Sequence, residues 1–180
     1  MVVTDDDALA DRLRTLKDLA HSPQRRFWHE EVGFNYRMTN LQAALGLGQL
    51  ESIEMFLERK RTMADRYTEG LNGIAGLQVP VTKEHCENVF WMYVIVLSDP
   101  FPFSRDAFRI AMKERGVDTR DFFYPLHQMP LAAPFVNKGE QFPVTDSVAL
   151  RGCYLPSGLA ITDAQIDTVI DAVRGLSQGG

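Results

Sequence analysis

Long apolar runs, a surplus of basic charge and a cysteine framework are all missing from this 180-residue chain. The strongest apolar stretch, residues 89–97, falls far short of the roughly 20 residues that a membrane-crossing helix requires. Asp5, Asp6 and Asp7 stand where a secretion signal would carry a basic and then an apolar segment, so a cytoplasmic location is expected. Lysines and arginines number 19 against 24 acids, a formal net charge of −5, and they are scattered among those acids. No basic face is then available to neutralise a run of phosphates, and general nucleic-acid binding is not expected. Local arginines can still grip a few anionic groups, because bidentate pairing depends on nearby geometry more than on net charge. The two cysteines, Cys86 and Cys153, form no C-x-x-C pair and have apolar neighbours, which predicts two buried thiols in a reducing compartment. His21, His29, His85 and His127 lack metal-ligand spacing, so no metal site is expected. G-x-S-x-G, Walker and G-x-G-x-x-G signatures are absent, which disfavours nucleophile-elbow and phosphate-loop enzymes.

What the chain does have is an organising stretch, Gly33-Phe34-Asn35-Tyr36-Arg37-Met38-Thr39-Asn40, running into Leu41-Gln42-Ala43-Ala44-Leu45-Gly46-Leu47-Gly48. Thr39 with Gln42 fits a capping box, which starts a helix at Asn40. Apolar residues then recur as Leu41, Ala44, Leu45, Ile53, Phe56, Leu57, Ala64, Tyr67 and Leu71, predicting one helix over residues 40–71. A helix of roughly 30 residues is about 45 Å long and bridges two bodies. In an extended loop Asn35 and Arg37 alternate with Phe34 and Tyr36, so the two polar side chains face one way. From the residues alone two readings stand: a ligand-contacting pair, or an amide and an arginine that satisfy loop carbonyls.

Elsewhere, residues 1–4 read as the end of a strand without a beginning, either a piece of something longer or an edge strand. Asp5 caps a helix over residues 8–19, and residues 21–31 form a polar, aromatic loop. Strands are predicted at residues 77–80, 89–97 and 117–120, and Trp91 and Tyr93 are assigned to the core. Ser104 caps a helix over residues 105–115 with Phe108, Ala111 and Met112 inward, and a short helix covers residues 145–151. A second capping box, Thr162 with Gln165, opens a helix over residues 163–176. Residues 121–130, rich in aromatics and prolines, should pack and present side chains. The pattern is α+β, with a small antiparallel sheet under helices. Lys17, Lys60, Lys83, Lys113 and Lys138 all fall on solvated faces or loops, with no apolar pocket to lower a pKa for amine chemistry. His21 and His85 are read as solvent-facing.

The ordered set from Gly33 to Gly46, with Gln49-Leu50, Arg61, Tyr67 and Phe123-Tyr124-Pro125-Leu126-His127, resembles the DegT/DnrJ/EryC1/StrS family of pyridoxal-phosphate-dependent sugar aminotransferases, which includes perosamine synthases. The resemblance implies the C-terminal portion of the aspartate-aminotransferase (PLP fold type I) architecture. Residues 1–40 would be a remnant of the large cofactor domain with its crossing loop, and residues 41–180 a long interdomain helix and the small domain. It implies pyridoxal 5'-phosphate as cofactor in the intact enzyme, a keto-sugar nucleotide and an amino donor such as glutamate as substrates, and a homodimer formed through the crossing loop and long helix. Asn35 and Arg37 would bind the cofactor phosphate, and Arg37, His127, His29 and Tyr124 the sugar nucleotide. For His127 the bland reading is a ring satisfied by loop backbone, for His29 a residue that stabilises the crossing loop, and for Tyr124 a packing residue. The Schiff-base lysine of the family corresponds to no lysine of this chain, so the chain alone is expected to be inactive. The alternative is a non-catalytic dimerisation or binding module derived from the same family.

Overall fold

The computed structural model describes residues 2–25, 27–137 and 139–179, so Met1, Arg26, Lys138 and Gly180 lie outside the described residues. Expectations that fall on them, the first residue of the N-terminal strand and one of the five lysines among them, lie outside as well. The chain divides into two compact units, residues 1–53 and 54–180.

In the first unit, helix α1 (Asp7–Lys17) is capped by the Asp6 carboxylate, which accepts from the Leu9 amide. The cap thus lies one residue beyond Asp5, and the helix ends two residues before position 19. Leu19 and Ala20 both take left-handed backbone angles, φ 60 and 52, and reverse the chain. The segment from Gly33 onward then runs back antiparallel to the end of α1. Phe34 N–H donates to the Leu16 carbonyl at 2.7 Å, Leu19 N–H to the Phe34 carbonyl at 3.0 Å and Tyr36 N–H to the Lys17 carbonyl at 2.9 Å. Gly33 is needed at the crossing, because a β-carbon there would lie 2.3 Å from the Ala20 nitrogen. Helix α2 (Asn40–Glu51) opens on the predicted capping box, with both reciprocal bonds between Thr39 and Gln42 formed. Val2 and Val3 are exposed and join no strand, which corrects the expected N-terminal strand; no partner edge for them exists among the described residues. Ala20 is the buried hydrophobic residue of this unit among those described, and α1 and α2 bury none.

The single helix expected over residues 40–71 is two. Helix α2 stops at Ser52 (φ −104, ψ 7), whose N–H turns back to the Gln49 and Leu50 carbonyls, and α3 (Ile53–Leu71) follows. A tightened last turn of this kind leaves the apolar spacing undisturbed, so periodicity does not register it.

The second unit holds α3, β1 (Leu77–Gln78), β2 (Tyr93–Leu97), α4 (Arg105–Glu114), β3 (Arg120–Asp121), α5 (Pro143–Arg151), β4 (Gly152–Leu155) and α6 (Asp163–Ser177). Two short 3-10 turns, Leu126–Gln128 and Pro130–Phe135, lie between β3 and α5. The four strands form an antiparallel sheet in the order β1-β2-β4-β3, with Tyr93 opposite Leu155 and Ile95 opposite Cys153. Tyr93, Ile95 and Leu97 alternate inward, as a half-buried strand requires, against Met63, Tyr67 and Leu71 of α3, Phe108 and Met112 of α4, and Ile166, Val173 and Leu176 of α6. The buried phenols are satisfied: Tyr67 donates to the Pro156 carbonyl at 2.8 Å, and the Tyr93 and Thr68 hydroxyls pair at 2.9 Å. Gly70 lets α6 approach α3, since a β-carbon there would stand 2.6 Å from Ile170 Cδ1. Beside it the Arg66 fork meets both Asp167 oxygens at 2.7 and 2.6 Å. The α+β class and antiparallel sheet are as expected.

Three local expectations fail here. Phe90 adopts φ 46, which breaks the extended run, so the strand begins at Tyr93 and not at position 89. Trp91, ahead of the sheet register, is 65% exposed and is not a core residue. Cys86 lies further upstream in a turn closed by its own N–H to the Lys83 carbonyl, and is exposed; Cys153 is buried in β4.

Candidate functional site

In the first unit the organising loop is extended, and Phe34 and Tyr36 stack in parallel at 5.4 Å, which puts the side chains of even and odd positions on opposite sides. Asn35 and Arg37 are both exposed, so neither is the buried carbonyl-satisfying residue of the bland reading. Arg37 Nη1 donates to Asp18 at 3.0 Å, and its remaining guanidinium nitrogens have no partner among the described residues. Asn35 bridges Asp18 through the backbone. His29 lies behind this loop, with Nδ1 2.7 Å from the carbonyl of left-handed Leu19, and its ring is 4.5 Å from that of His21. His21 is half-buried, its Nδ1 enclosed without a hydrogen-bond partner among the described residues, which corrects the solvent-facing assignment; His21 and His29 form an antiparallel bridge. Arg12 forms a fork with Glu31, which holds that carboxyl below its ordinary range.

The second unit carries the other candidates. Tyr124 is 74% exposed, at the end of an aromatic cluster in which Phe122 stacks on Tyr154 at 5.3 Å and Trp91 faces Phe123 at 6.3 Å. His127, three residues on, is largely enclosed: Nε2 lies 2.8 Å from Asp146 Oδ1, and Phe142 covers the ring at 4.6 Å. Gln128 donates to the same Asp146 oxygen at 2.6 Å.

A groove of about 930 Å³ opens in this unit between Trp91, Arg120, Tyr154, Ser157 and Lys60. Lys60 is the correction among the lysines. Instead of lying on a solvated face it is half-buried, its ammonium donating to the Trp91 carbonyl at 3.0 Å and to the Ser157 carbonyl, and burial draws its pKa below the usual lysine value. Both bonds tie backbone to α3. Sequence reasoning also missed Asp18 and Asp146, which hold Arg37 and His127; each lies 19 residues from its partner, and nothing in local spacing pairs them.

The cofactor that the family resemblance implies would make a specific demand on the loop: N–H donors for phosphate oxygens. An exposed amide and an exposed guanidinium with free nitrogens, carried on one extended segment, meet it. Among the described residues no helix is long and apolar enough to cross a membrane.

The model of the DegT/DnrJ/EryC1/StrS aminotransferase family matches residues 1–174. GDP-perosamine synthase of Caulobacter vibrioides is 36% identical over 177 residues, covering 96% of this chain and 46% of the relative. The Vibrio cholerae protein of the same name is 34% identical, covering 97% and 47%. The crystal structure of DesV from S. venezuelae superposes with a TM-score of 0.84 at 30% identity, covering 98% of this chain and 46% of that one. The aminotransferase TlmJ from Streptoalloteichus hindustanus superposes with a TM-score of 0.83 at 27% identity, covering 97% and 46%. The chain spans about half the length of the relatives it matches.

Proposed function

Because the chain belongs to the DegT/DnrJ/EryC1/StrS aminotransferase family, we propose that it is the C-terminal portion of a pyridoxal-phosphate-dependent aminotransferase that acts on keto-sugar nucleotides in amino-sugar biosynthesis. The observation that carries this reading is the open first unit. The family match runs through it, yet Leu41, Leu45, Leu50, Val32 and Met38 are each more than 60% exposed beside a loop whose Arg37 guanidinium meets, among the described residues, Asp18 alone. Such a surface fits one covered by the rest of a longer protein and by a second subunit. Relatives named GDP-perosamine synthase favour a GDP-linked sugar as substrate.

In that assembly residues 1–40 belong to the cofactor domain, and the loop crosses to the partner subunit's ligand. Asn35 donates its amide N–H to phosphate oxygens. Arg37 donates its free nitrogens to the phosphate or to a sugar hydroxyl, while Asp18 holds the guanidinium in place. His127 and Tyr124 hydrogen-bond the sugar, and His29 secures the loop through the Leu19 carbonyl. Bound pyridoxal phosphate supplies the electron sink for moving an amino group, commonly from glutamate. The present chain alone is inactive, and the working enzyme is a cytoplasmic homodimer. A second reading, a non-catalytic dimerisation or binding module, draws on the complete core that the second unit has of its own.

The test is to express the chain joined to the in-frame coding sequence upstream of Met1 and to follow glutamate-dependent amination of a GDP-linked keto-hexose. Conversion by the joined protein and none by the 180-residue chain is the expected result. Absence of any upstream frame, with the chain alone binding a second copy of itself, would establish the module instead.

A further inference from the structure

The Asp146–His127 pair does more than close a turn. An ionised carboxylate only accepts, so the 2.8 Å approach of Asp146 Oδ1 to His127 Nε2 requires the proton on Nε2. The same oxygen takes the Gln128 amide N–H at 2.6 Å, which fixes the carboxylate from a second side, and Phe142 lies against the ring at 4.6 Å and limits its rotation. Asp146 itself is held in the first turn of α5, its backbone N–H on the Phe142 carbonyl at 2.9 Å. Nδ1 of His127 has no partner among the described residues. We infer that Asp146 is a positioning residue: it locks His127 in the tautomer that presents a bare Nδ1, so that this ring accepts a hydrogen bond from a ligand hydroxyl. The ligand half of this inference rests on the sugar-nucleotide reading above.

The consequence is a polarity. A neutral ring with its donor committed to Asp146 cannot donate to a phosphate or carbonyl oxygen, and it selects a group that carries a proton, such as a ring hydroxyl of a sugar. An orienting carboxylate behind a histidine plays the same part in other sites, where it sets the tautomer without exchanging the proton itself.

Nitrogen-15 and proton correlation spectra of the full 180-residue chain, with His127 assigned by a His127→Gln variant, read the tautomer directly at a pH where the ring is neutral. The expected result is Nε2 protonated and Nδ1 bare, in roughly tenfold or greater excess, as a charge-assisted bond predicts. Asp146→Ala should reduce that excess to the mixture of an unconstrained imidazole, while Asp146→Asn, which keeps an acceptor oxygen, should restore most of it. Unchanged signals from Tyr67 and Tyr93 show that both variants remain folded. A protonated Nδ1 in the unmodified chain, or an Asp146→Ala spectrum identical to it, overturns the assignment. Failure of the functional reading gives a different signature: the tautomer stands, yet GDP-mannose added to the joined protein moves no His127 signal. A hydroxyl contact on Nδ1 would instead shift that nitrogen upfield with Nε2 still protonated.

Discussion

Arg37 and Asp18 are both largely open to water, with side chains 66% and 39% exposed, so their pairing contributes less than about 1 kcal/mol to folding. Arg37→Ala should accordingly leave the melting temperature nearly unchanged. In the full-length enzyme proposed above it should weaken phosphate or sugar-nucleotide binding by about 1.5–3 kcal/mol, the range for hydrogen bonds to charged groups, as calorimetric titration would read. A lowered melting point with unaltered affinity would reduce Arg37 to a loop brace. Buried acids set the response to alkali. Burial pushes the Cys153 thiol from 9.0 up to about 12 and the Tyr93 phenol from 10.0 to about 12, and raises Tyr67 through burial and its neighbour Tyr93. A raised native pKa stabilises fully below the unfolded value and is lost as pH climbs through the native one, so folded fraction by circular dichroism should hold to pH 9 and decline from there toward 12. Lys60, shifted downward, opposes this below 10.5 but is one group against three. Cys153→Ala should delay the onset to about pH 10, where the unfolded tyrosines begin to ionise. At this scale the loop residues were legible because alternation and residue type both act locally. Lys60 and Trp91 were not, since their surroundings depend on where Ser157 and Phe90 place the backbone.

Gly33 and Gly46 look alike in sequence, each preceding an apolar residue, but the structure separates them. An alanine at 33 meets the backbone of Leu19 and Ala20 at 2.3 Å, whereas nothing lies within 4 Å of a β-carbon at 46. Gly33→Ala should cost about 3 kcal/mol, the upper end of overpacking, and abolish the pairing between α1 and the loop, seen as lost amide protection at Phe34 and Tyr36. Gly46→Ala should have the opposite sign, raising α2 helicity by about 1 kcal/mol in the isolated chain. If another backbone comes close at that helix in the dimer, the same change weakens association in sedimentation equilibrium; tighter dimers would mean that the small residues serve no contact. Capping boxes at Thr39 and Thr162 gave both helix starts from sequence, because the bonds involved span three residues. The stop at Ser52 was not legible, since it lies in a single residue's dihedral angles and interrupts no apolar spacing.

The two units differ in what holds them. The second has a core that runs from Met63 to Leu176, while the first buries Ala20 and otherwise relies on backbone pairing, a cap and exposed ion pairs. Hydrogen exchange of the dilute chain should therefore show β2 and α6 protected to the global limit and α1 and α2 exchanging far sooner. Protection of α2 that grows with protein concentration would locate the self-association surface; equal protection of α2 and α6 in dilution would refute the contrast. The sheet has an order in time as well as in space. Strand β4 sits between β2 and β3 but is translated after both, and Ile166, Val169, Ile170, Val173 and Leu176 of the core arrive only with the closing helix. A nascent chain that ends between Leu155 and Asp163 therefore holds a second unit with every strand made and no closing helix to seal it. The exposed edges of that intermediate, not of the finished protein, are what a chaperone or protease meets first.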